Sequence, residues 1–150
     1  MEYEIVTLQE KTAVGISTRT NNSSPTMCET IGNLWKRFFE DGIFFSIENK
    51  VNEKALGLYY DYEDDENKDY TAAVACEVSK ADENSNLTLI KIPAGKYAKF
   101  VVKGNCVTAV SDFWKELWQM NLPRTFVCDF EEYQNSDMNN AEIHIYIGLQ

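Results

Sequence analysis

The segments IGNLWK (residues 31–36) and VSDFWK (residues 110–115) decide the fold, because they are two versions of one pattern. Each reads apolar, polar, polar, apolar, Trp, Lys, and each lies in a stretch whose apolar residues recur every three or four positions. That spacing is typical of an amphipathic helix. The two segments therefore predict two equivalent helices, one in each half of the chain.

Pairs of β-like stretches precede and follow each predicted helix, rich in β-branched and aromatic residues. They cover residues 3–8, 12–17, 55–62 and 70–78 in the first half, and 87–92, 96–102, 125–133 and 141–149 in the second. Short connections at residues 9–11 and 93–95 suggest that the first two strands of each half form a hairpin. Residues 60–62 and 131–133 fall at the same place in the third strand of each half.

This order predicts an internal repeat of a ββαββ unit, residues 1–79 and 86–150, joined by a polar linker within one domain of residues 1–150. The fold class is α+β. Two such units pair into one antiparallel sheet about a pseudo-twofold axis, with both main helices on one face. We expect a ligand cleft between the two halves.

Composition excludes several classes of function. The 14 Lys and Arg against 24 Asp and Glu give a net charge of −10, which disfavours direct nucleic-acid binding. Four scattered cysteines and a single histidine predict no metal site, and no phosphate-binding loop or other cofactor motif is present. The absence of a signal-like start or a membrane-spanning run leads us to expect a cytoplasmic protein with no membrane partner.

Strict alternation in residues 127–133 places Asp129, Glu131 and Tyr133 on one face of a strand, and Cys128 and Phe130 on the other. Alternation alone leaves open whether Glu131 faces water or a covered site. If it is buried without a charged partner, its pKa should rise, and an organic cation bound beside it should reverse that preference.

Four segments, residues 57–78, 92–104, 110–118 and 129–149, closely resemble the GyrI-like effector-binding domain. This domain occurs fused to DNA-binding segments in AraC-type and MerR-type regulators, and also alone. The resemblance implies a small-molecule-binding domain whose ligand, often a lipophilic cation or an aromatic compound, lies between aromatic rings and a buried glutamate. That glutamate belongs to a Phe-Glu-x-Tyr motif, which corresponds to Glu131 and Tyr133 here. By position, Trp114, Trp118, Tyr60 and Tyr62 are further candidates for ligand binding.

We therefore expect a stand-alone effector-binding domain without a DNA-binding domain, used in transcription regulation or drug sequestration. Two alternatives stay open. Glu131 could act as a general base in a hydrolase of reactive small molecules, although we expect binding rather than catalysis. The acidic loop of residues 63–69 could contact a protein partner such as a topoisomerase.

Overall fold

A computed structural model of the protein describes residues 1–65, 67–81 and 86–150. Eight strands and three helices lie within these residues: β1 (Glu4–Leu8), β2 (Lys11–Thr20), α1 (Met27–Glu40), α2 (Ile43–Ser46), β3 (Leu56–Tyr60), β4 (Tyr70–Val78), β5 (Thr88–Ile92), β6 (Gly95–Gly104), α3 (Cys106–Leu117), β7 (Arg124–Tyr133) and β8 (Ala141–Leu149). Most of the predicted linker, and Glu66 of the acidic loop, lie outside the described residues. The order of elements is ββαββ in each half, with the one-turn helix α2 added after α1.

Local chemistry explains where α3 begins and where α1 ends. The Asn105 side chain caps α3 by accepting hydrogen bonds from the N–H groups of Val107 at 3.0 Å and Thr108 at 3.3 Å. Helix α1 ends at Glu40, and Gly42 follows with a φ of 73°, a conformation that glycine adopts without steric cost.

All eight strands form one antiparallel sheet in the order β1-β6-β8-β7-β3-β4-β2-β5. Helix α1 packs on β2 and β4 through Leu34 and Phe38, and α3 packs on β6 and β8 through Phe113 and Leu117. Side-chain alternation across β3 and β7 places both helices on the same face of the sheet. The predicted α+β fold, with one sheet and two main helices on one face, is confirmed.

The two predicted hairpins are wrong. Strand β1 pairs with β6 rather than with its sequence neighbour β2, and β5 pairs with β2 rather than with β6. Each half therefore places its first strand beside the second strand of the other half. Short connections were misleading because a short connection requires only that two strand ends lie close together, not that the strands are hydrogen-bonded.

These connections require the sheet to curl until its two ends approach each other. Strands β5 and β6 belong to opposite ends of the strand order, yet only Pro93 and Ala94 separate them, a distance that the extended chain limits to about 10 Å. The concave face that results is filled by an apolar cluster, in which Leu8 from one end of the sheet packs with Ile90 and Ile92 from the other. The helices cover the opposite face.

The strand order reads the same when the two halves are exchanged, and the pairing register repeats with it. Glu4 and Thr88 begin β1 and β5, and they pair with Lys99 and Gly15, respectively. The register then continues inward in the same way in both halves. In the first half Gly15 pairs with Ala75, which pairs with Leu56. In the second half Lys99 pairs with Tyr146, which pairs with Phe130. Leu56 and Phe130 are therefore equivalent positions.

One residue further along each central strand, Gly57 and Glu131 are equivalent, and they also pair directly with each other. The pseudo-twofold axis therefore passes between them. This register corrects the alignment of residues 60–62 with 131–133, because it makes Tyr59 the counterpart of Tyr133. The duplication of residues 1–79 and 86–150 stays a prediction, which this symmetry supports.

Candidate functional site

Glu131 lies at the centre of the sheet, beneath the two main helices. Its neighbours Phe130 and Cys128 point into the concave apolar cluster, so alternation directs Glu131 to the helix-covered face. Only 1% of its surface is exposed. The alternative that Glu131 faces water is wrong, because side chains from both halves cover that face of the sheet.

Three neutral donors hold the Glu131 carboxylate. The indole Nε1–H of Trp114 donates to Oε2 at 2.8 Å, and the hydroxyl of Tyr59 donates to the same oxygen at 3.0 Å. The hydroxyl of Tyr133 donates to Oε1 at 3.0 Å. These bonds come from β3, α3 and β7, so both halves contribute to the site.

Burial and hydrogen bonding act in opposite directions on the carboxylate. Removal from water raises the pKa of Glu131 above its ordinary value of 4.5, while the bonds from Trp114, Tyr59 and Tyr133 lower it in part. The pKa values of both tyrosines are raised, first by burial and then by the negative charge of Glu131. Both phenols therefore stay protonated and remain hydrogen-bond donors.

The aromatic rings around Glu131 form two equivalent pairs. Trp35 of α1 packs edge-to-face on Tyr133, with ring centroids 4.9 Å apart, and Trp114 of α3 packs edge-to-face on Tyr59 at 5.3 Å. Since the two tryptophans occupy the same place in the repeated helix pattern and the two tyrosines are equivalent in the sheet, these pairs are twins about the axis. Glu131 lies between them.

Gly57 leaves the space that this arrangement requires. A Cβ atom at this position would lie 3.0 Å from Oε1 of Glu131 and 3.1 Å from Cζ2 of Trp35, both shorter than ordinary contacts. The equivalent position in the other half is Glu131, which carries the carboxylate. The site therefore has two aromatic pairs but a single acidic side chain on the axis.

Each main helix carries a second aromatic residue one turn after its tryptophan. Phe39 follows Trp35 on α1, with the rings stacked at 6.3 Å, and is 43% exposed. Trp118, at the end of α3, is its counterpart by sequence pattern and is 41% exposed. Each of these exposed rings lies about one helical turn beyond the tryptophan of its own helix.

Asp129 lies on the same face of β7 but in a different electrostatic setting. The Arg124 guanidinium donates to its Oδ2 at 2.7 Å, the Tyr62 hydroxyl donates to the same oxygen at 2.6 Å, and the Gly148 N–H donates to Oδ1 at 2.9 Å. Both members of the ion pair are buried. Asp129 therefore has a protein cation as its partner, whereas the donors described for Glu131 are all neutral.

The structure brings together three of the six residues predicted for the site, Glu131, Tyr133 and Trp114. Trp118 follows the last residue of α3 and is exposed to solvent. Tyr62 contacts Asp129, and Tyr60 packs against the concave cluster on the other face of the sheet.

Sequence reasoning missed Trp35, Tyr59 and Gly57. The first could have been found, since Trp35 matches Trp114 in the repeated helix pattern. Tyr59 and Gly57 could be found only from the register between β3 and β7, and the alignment of residues 60–62 with 131–133 gave a different register.

A cavity of about 570 Å³ opens elsewhere, near the ends of β3, β5 and β7. It is lined by Glu10, Tyr60, Asp61, Tyr62, Lys91, Pro93, Phe126, Val127 and Cys128. Glu131 does not line it. Around Glu131, the place of the expected cleft is occupied by the four rings of the aromatic pairs, so a ligand can reach the carboxylate only if these rings move.

No helix among the described residues combines the length and apolar character needed to cross a membrane. A comparison with curated protein sequences found no match.

Solved structures similar to this chain include two that match it over nearly their full length. The structure of SAV2435 bound to tetraphenylphosphonium has a TM-score of 0.82 at 22% identity, covering 100% of this chain and 94% of that one. The integron cassette protein VCH_CASS2 of Vibrio cholerae has a TM-score of 0.75 at 28% identity, covering 97% and 95%.

A third structure, EcmrR in complex with DNA, matches with a TM-score of 0.63 at 12% identity, covering 99% of this chain and 58% of that one. These likenesses agree with the fold derived above. A family model described as "Cass2: Integron-associated effector binding protein" matches residues 4–149, nearly the whole chain. The chain therefore belongs to the Cass2 family of integron-associated effector binding proteins.

Proposed function

We propose that the chain binds amphipathic organic cations against Glu131, on the surface between α1 and α3. One observation carries this proposal: Glu131 is 1% exposed, and its described donors, Trp114, Tyr59 and Tyr133, are all neutral. Asp129, two residues earlier, has Arg124 as its cation. A ligand cation would supply to Glu131 what Arg124 supplies to Asp129.

The chemistry of the surroundings selects the kind of cation. Aromatic faces attract cations by about 0.5–2 kcal/mol each, and their apolar area favours organic groups over hydrated metal ions. Trp35, Trp114, Tyr59 and Tyr133 provide such faces within the site. In this proposal Trp118 lies on the path of entry, while Tyr60 and Tyr62 belong to the separate cavity.

Tetraphenylphosphonium, the compound bound in the structure of SAV2435, is the first probe to test. Binding should change the fluorescence of Trp35 and Trp114 and should raise the melting temperature of the protein. Glu131→Gln should weaken binding by about tenfold to a hundredfold, because it removes the counter-charge from a site of low polarity. Glu132→Gln, which removes a neighbouring charge on the other face of the strand, is the matched control and should bind like the wild type.

Loss of affinity in both variants, or in neither, would contradict the proposed role of Glu131. The hydrolase alternative uses the same carboxylate as a general base and makes a different prediction. It requires a product that accumulates with time in the wild type and not in Glu131→Gln.

The biological role that we propose is cytoplasmic effector binding, for transcription regulation or for sequestration of toxic cations. Both roles need reversible capture of a ligand. They differ in whether the ligand changes the contacts of this chain with another molecule, which a pull-down from cell extract with and without tetraphenylphosphonium would detect.

A further inference from the structure

The cavity at the ends of β3, β5 and β7 reaches the concave side of the sheet, away from Glu131. Tyr60 and Cys128 line it, and they pair with each other across β3 and β7. Cys128 belongs to the concave apolar cluster, and Tyr60 packs against it. Val127, which also lines the cavity, is 54% exposed. The apolar interior of the curled sheet therefore opens to solvent here, through a cavity whose volume of about 570 Å³ is typical of small-molecule sites.

Two residues with an unusual backbone conformation line this cavity. Asp61 and Phe126 both have a φ of 54°. Asn49 is the only other non-glycine residue with a positive φ in the described part of the chain. Such a conformation is rare for a bulky side chain such as that of Phe126. Residues held in this way cluster at binding sites, because the surrounding structure must compensate for their strain.

Strand β7 also leaves the regular ladder at this point. Arg124 pairs with Leu149 and Asp129 with Ile147, so β7 advances five positions where β8 advances two. The extra residues of β7 include Phe126 and form a bulge. Bulges are frequent at the rims of barrels and beside active sites. The bulge and the two left-handed residues therefore coincide with the cavity.

The Phe126 ring is held by groups of the buried ion pair. The Arg124 guanidinium lies 4.3 Å from the ring centroid, and the Tyr62 ring packs edge-to-face on Phe126 at 5.8 Å. Arg124 and Tyr62 both donate to Oδ2 of Asp129, at 2.7 Å and 2.6 Å. A ring that is already fixed loses little conformational entropy when a ligand packs on it. Phe126 and Tyr62 therefore give the cavity a preorganised aromatic wall.

The charged side chains at the cavity have partners of opposite charge. Nζ of Lys91 lies 3.8 Å from Oε1 of Glu10, and both residues line the cavity. Oδ2 of Asp61 lies 3.7 Å from a guanidinium nitrogen of Arg19. Two acidic and two basic groups therefore balance one another. All four are exposed, so solvent screens the small field that they leave.

The buried part of the lining is neutral as well. Burial raises the pKa of the Cys128 thiol and of the Tyr60 hydroxyl, so both groups keep their protons at neutral pH. In contrast to the carboxylate of Glu131, these groups offer no charge to a bound cation.

We propose that this cavity is a second binding site, which takes neutral aromatic small molecules. Its rings and apolar side chains favour an aromatic ligand, and its paired charges give no preference for a cation. None of the residues that donate to Glu131 lines the cavity. The inference therefore stands or falls independently of cation binding at Glu131.

The probe that tests this site is N-phenyl-1-naphthylamine, a neutral aromatic compound whose fluorescence increases in apolar surroundings. The wild type should increase this fluorescence in a saturable way, and the affinity should not depend on ionic strength. In nuclear magnetic resonance titrations, the probe should shift the amide signals of residues 60–62 and 126–128. Excess tetraphenylphosphonium should not displace it.

Substitutions at the cavity separate the ring from the charge. Phe126→Asn removes the ring and keeps a residue that readily adopts the left-handed conformation, so the affinity for the probe should fall by about five- to tenfold. Asp61→Asn removes a charge at the other left-handed position and should change the affinity by about twofold or less. Val127→Asp places a charge at an exposed position of the lining, and it serves as the test if Phe126→Asn does not fold.

Phe45→Ala is the matched control, because it removes a 77% exposed ring on α2, far from the lining residues in sequence, and should bind the probe like the wild type. Failure of the wild type to bind the probe up to its solubility limit would overturn the proposal. So would displacement by tetraphenylphosphonium together with a loss of affinity in Glu131→Gln and not in Phe126→Asn, since the probe would then lie between the helices. Equal losses in Phe45→Ala and Phe126→Asn would indicate nonspecific binding to exposed rings and would also overturn it.

Discussion

Gly57 and Glu131 face each other across the two central strands and occupy equivalent positions in the two halves of the protein. A glycine and a glutamate, two chemically unlike residues, therefore meet at the point of highest symmetry. A symmetric pair of carboxylates at this position would bring two like charges together in a buried site, which is strongly unfavourable. Glycine at one position makes the other a site for a single buried acid.

This relationship predicts that Gly57→Ala damages the site. The added methyl group would force Trp35 or the Glu131 carboxylate to move, which typically costs about 1–3 kcal/mol of unfolding free energy in a packed interior. We expect weaker tetraphenylphosphonium binding and altered tryptophan fluorescence, measured by titration and by urea unfolding.

Gly32→Ala provides the matched control, because a Cβ at Gly32 meets nothing within 4 Å and the residue lies in the exposed part of α1. This substitution should stabilise the helix by up to about 1 kcal/mol and leave binding unchanged. Wild-type binding by Gly57→Ala would refute the claim that this position needs a glycine.

The raised pKa of Glu131 predicts that cation binding depends on pH. At pH values below the raised pKa, the Glu131 carboxyl group is protonated when no ligand is bound. A bound cation favours the ionised carboxylate. The affinity for the cation should therefore increase as pH rises through this pKa and then become constant. The midpoint should lie above the ordinary value of 4.5. Affinity of Glu131→Gln should not vary over the same range, and a flat profile in the wild type would contradict the assignment.

Stability without ligand should have the opposite dependence on pH. The unfolded chain ionises Glu131 at its ordinary pKa, while the folded protein still holds the proton. The contribution of this group to stability is therefore present at low pH and decreases as pH rises from the ordinary pKa to the raised one. Comparing urea unfolding of the wild type and Glu131→Gln across this range isolates the effect.

The buried ion pair between Arg124 and Asp129 predicts a large loss of stability when one partner is removed. Arg124→Ala leaves the Asp129 charge without its cation at the centre of the fold, which typically costs about 3–5 kcal/mol. Chemical unfolding measures this loss. The exposed pair of Lys91 and Glu10, 3.8 Å apart, is the comparison, and Lys91→Ala should cost about 1 kcal/mol or less.

Local patterns in the sequence predict the elements of this fold but not their partners. The two helices follow from apolar spacing, and the burial of Leu34, Phe38, Phe113 and Leu117 agrees with it. Strand pairing does not follow from local pattern, because β1 and β2 alternate in the same way whichever neighbour they have. The exchange of first strands between the halves depends on the curl of the whole sheet, which no local pattern specifies.

The site shows the same limit at the level of single residues. Glu131 and Tyr133 could be predicted because they match the Phe-Glu-x-Tyr motif of the family that the sequence resembles, and Trp114 because of its position on the second predicted helix. Tyr59 could not, since its contact with Glu131 depends on the register between β3 and β7. The assumed alignment of residues 60–62 with 131–133 instead made Tyr62 the counterpart of Tyr133, and the Tyr62 hydroxyl donates to Asp129 rather than to Glu131.

The last prediction concerns Tyr59 and Tyr133, which occupy equivalent positions in the two halves but should have unequal effects on Glu131. Tyr133 is the only donor described for Oε1, whereas Tyr59 shares Oε2 with Trp114. Tyr133→Phe leaves one oxygen of a buried carboxylate without a described donor, and hydrogen bonds to charged groups contribute about 1.5–3 kcal/mol. The midpoint of the pH profile for tetraphenylphosphonium binding should therefore rise in both phenylalanine variants, and more in Tyr133→Phe than in Tyr59→Phe. Tyr60→Phe, on the other face of the sheet, should leave the midpoint unchanged, and equal shifts in all three variants would show that these hydroxyls do not act through Glu131.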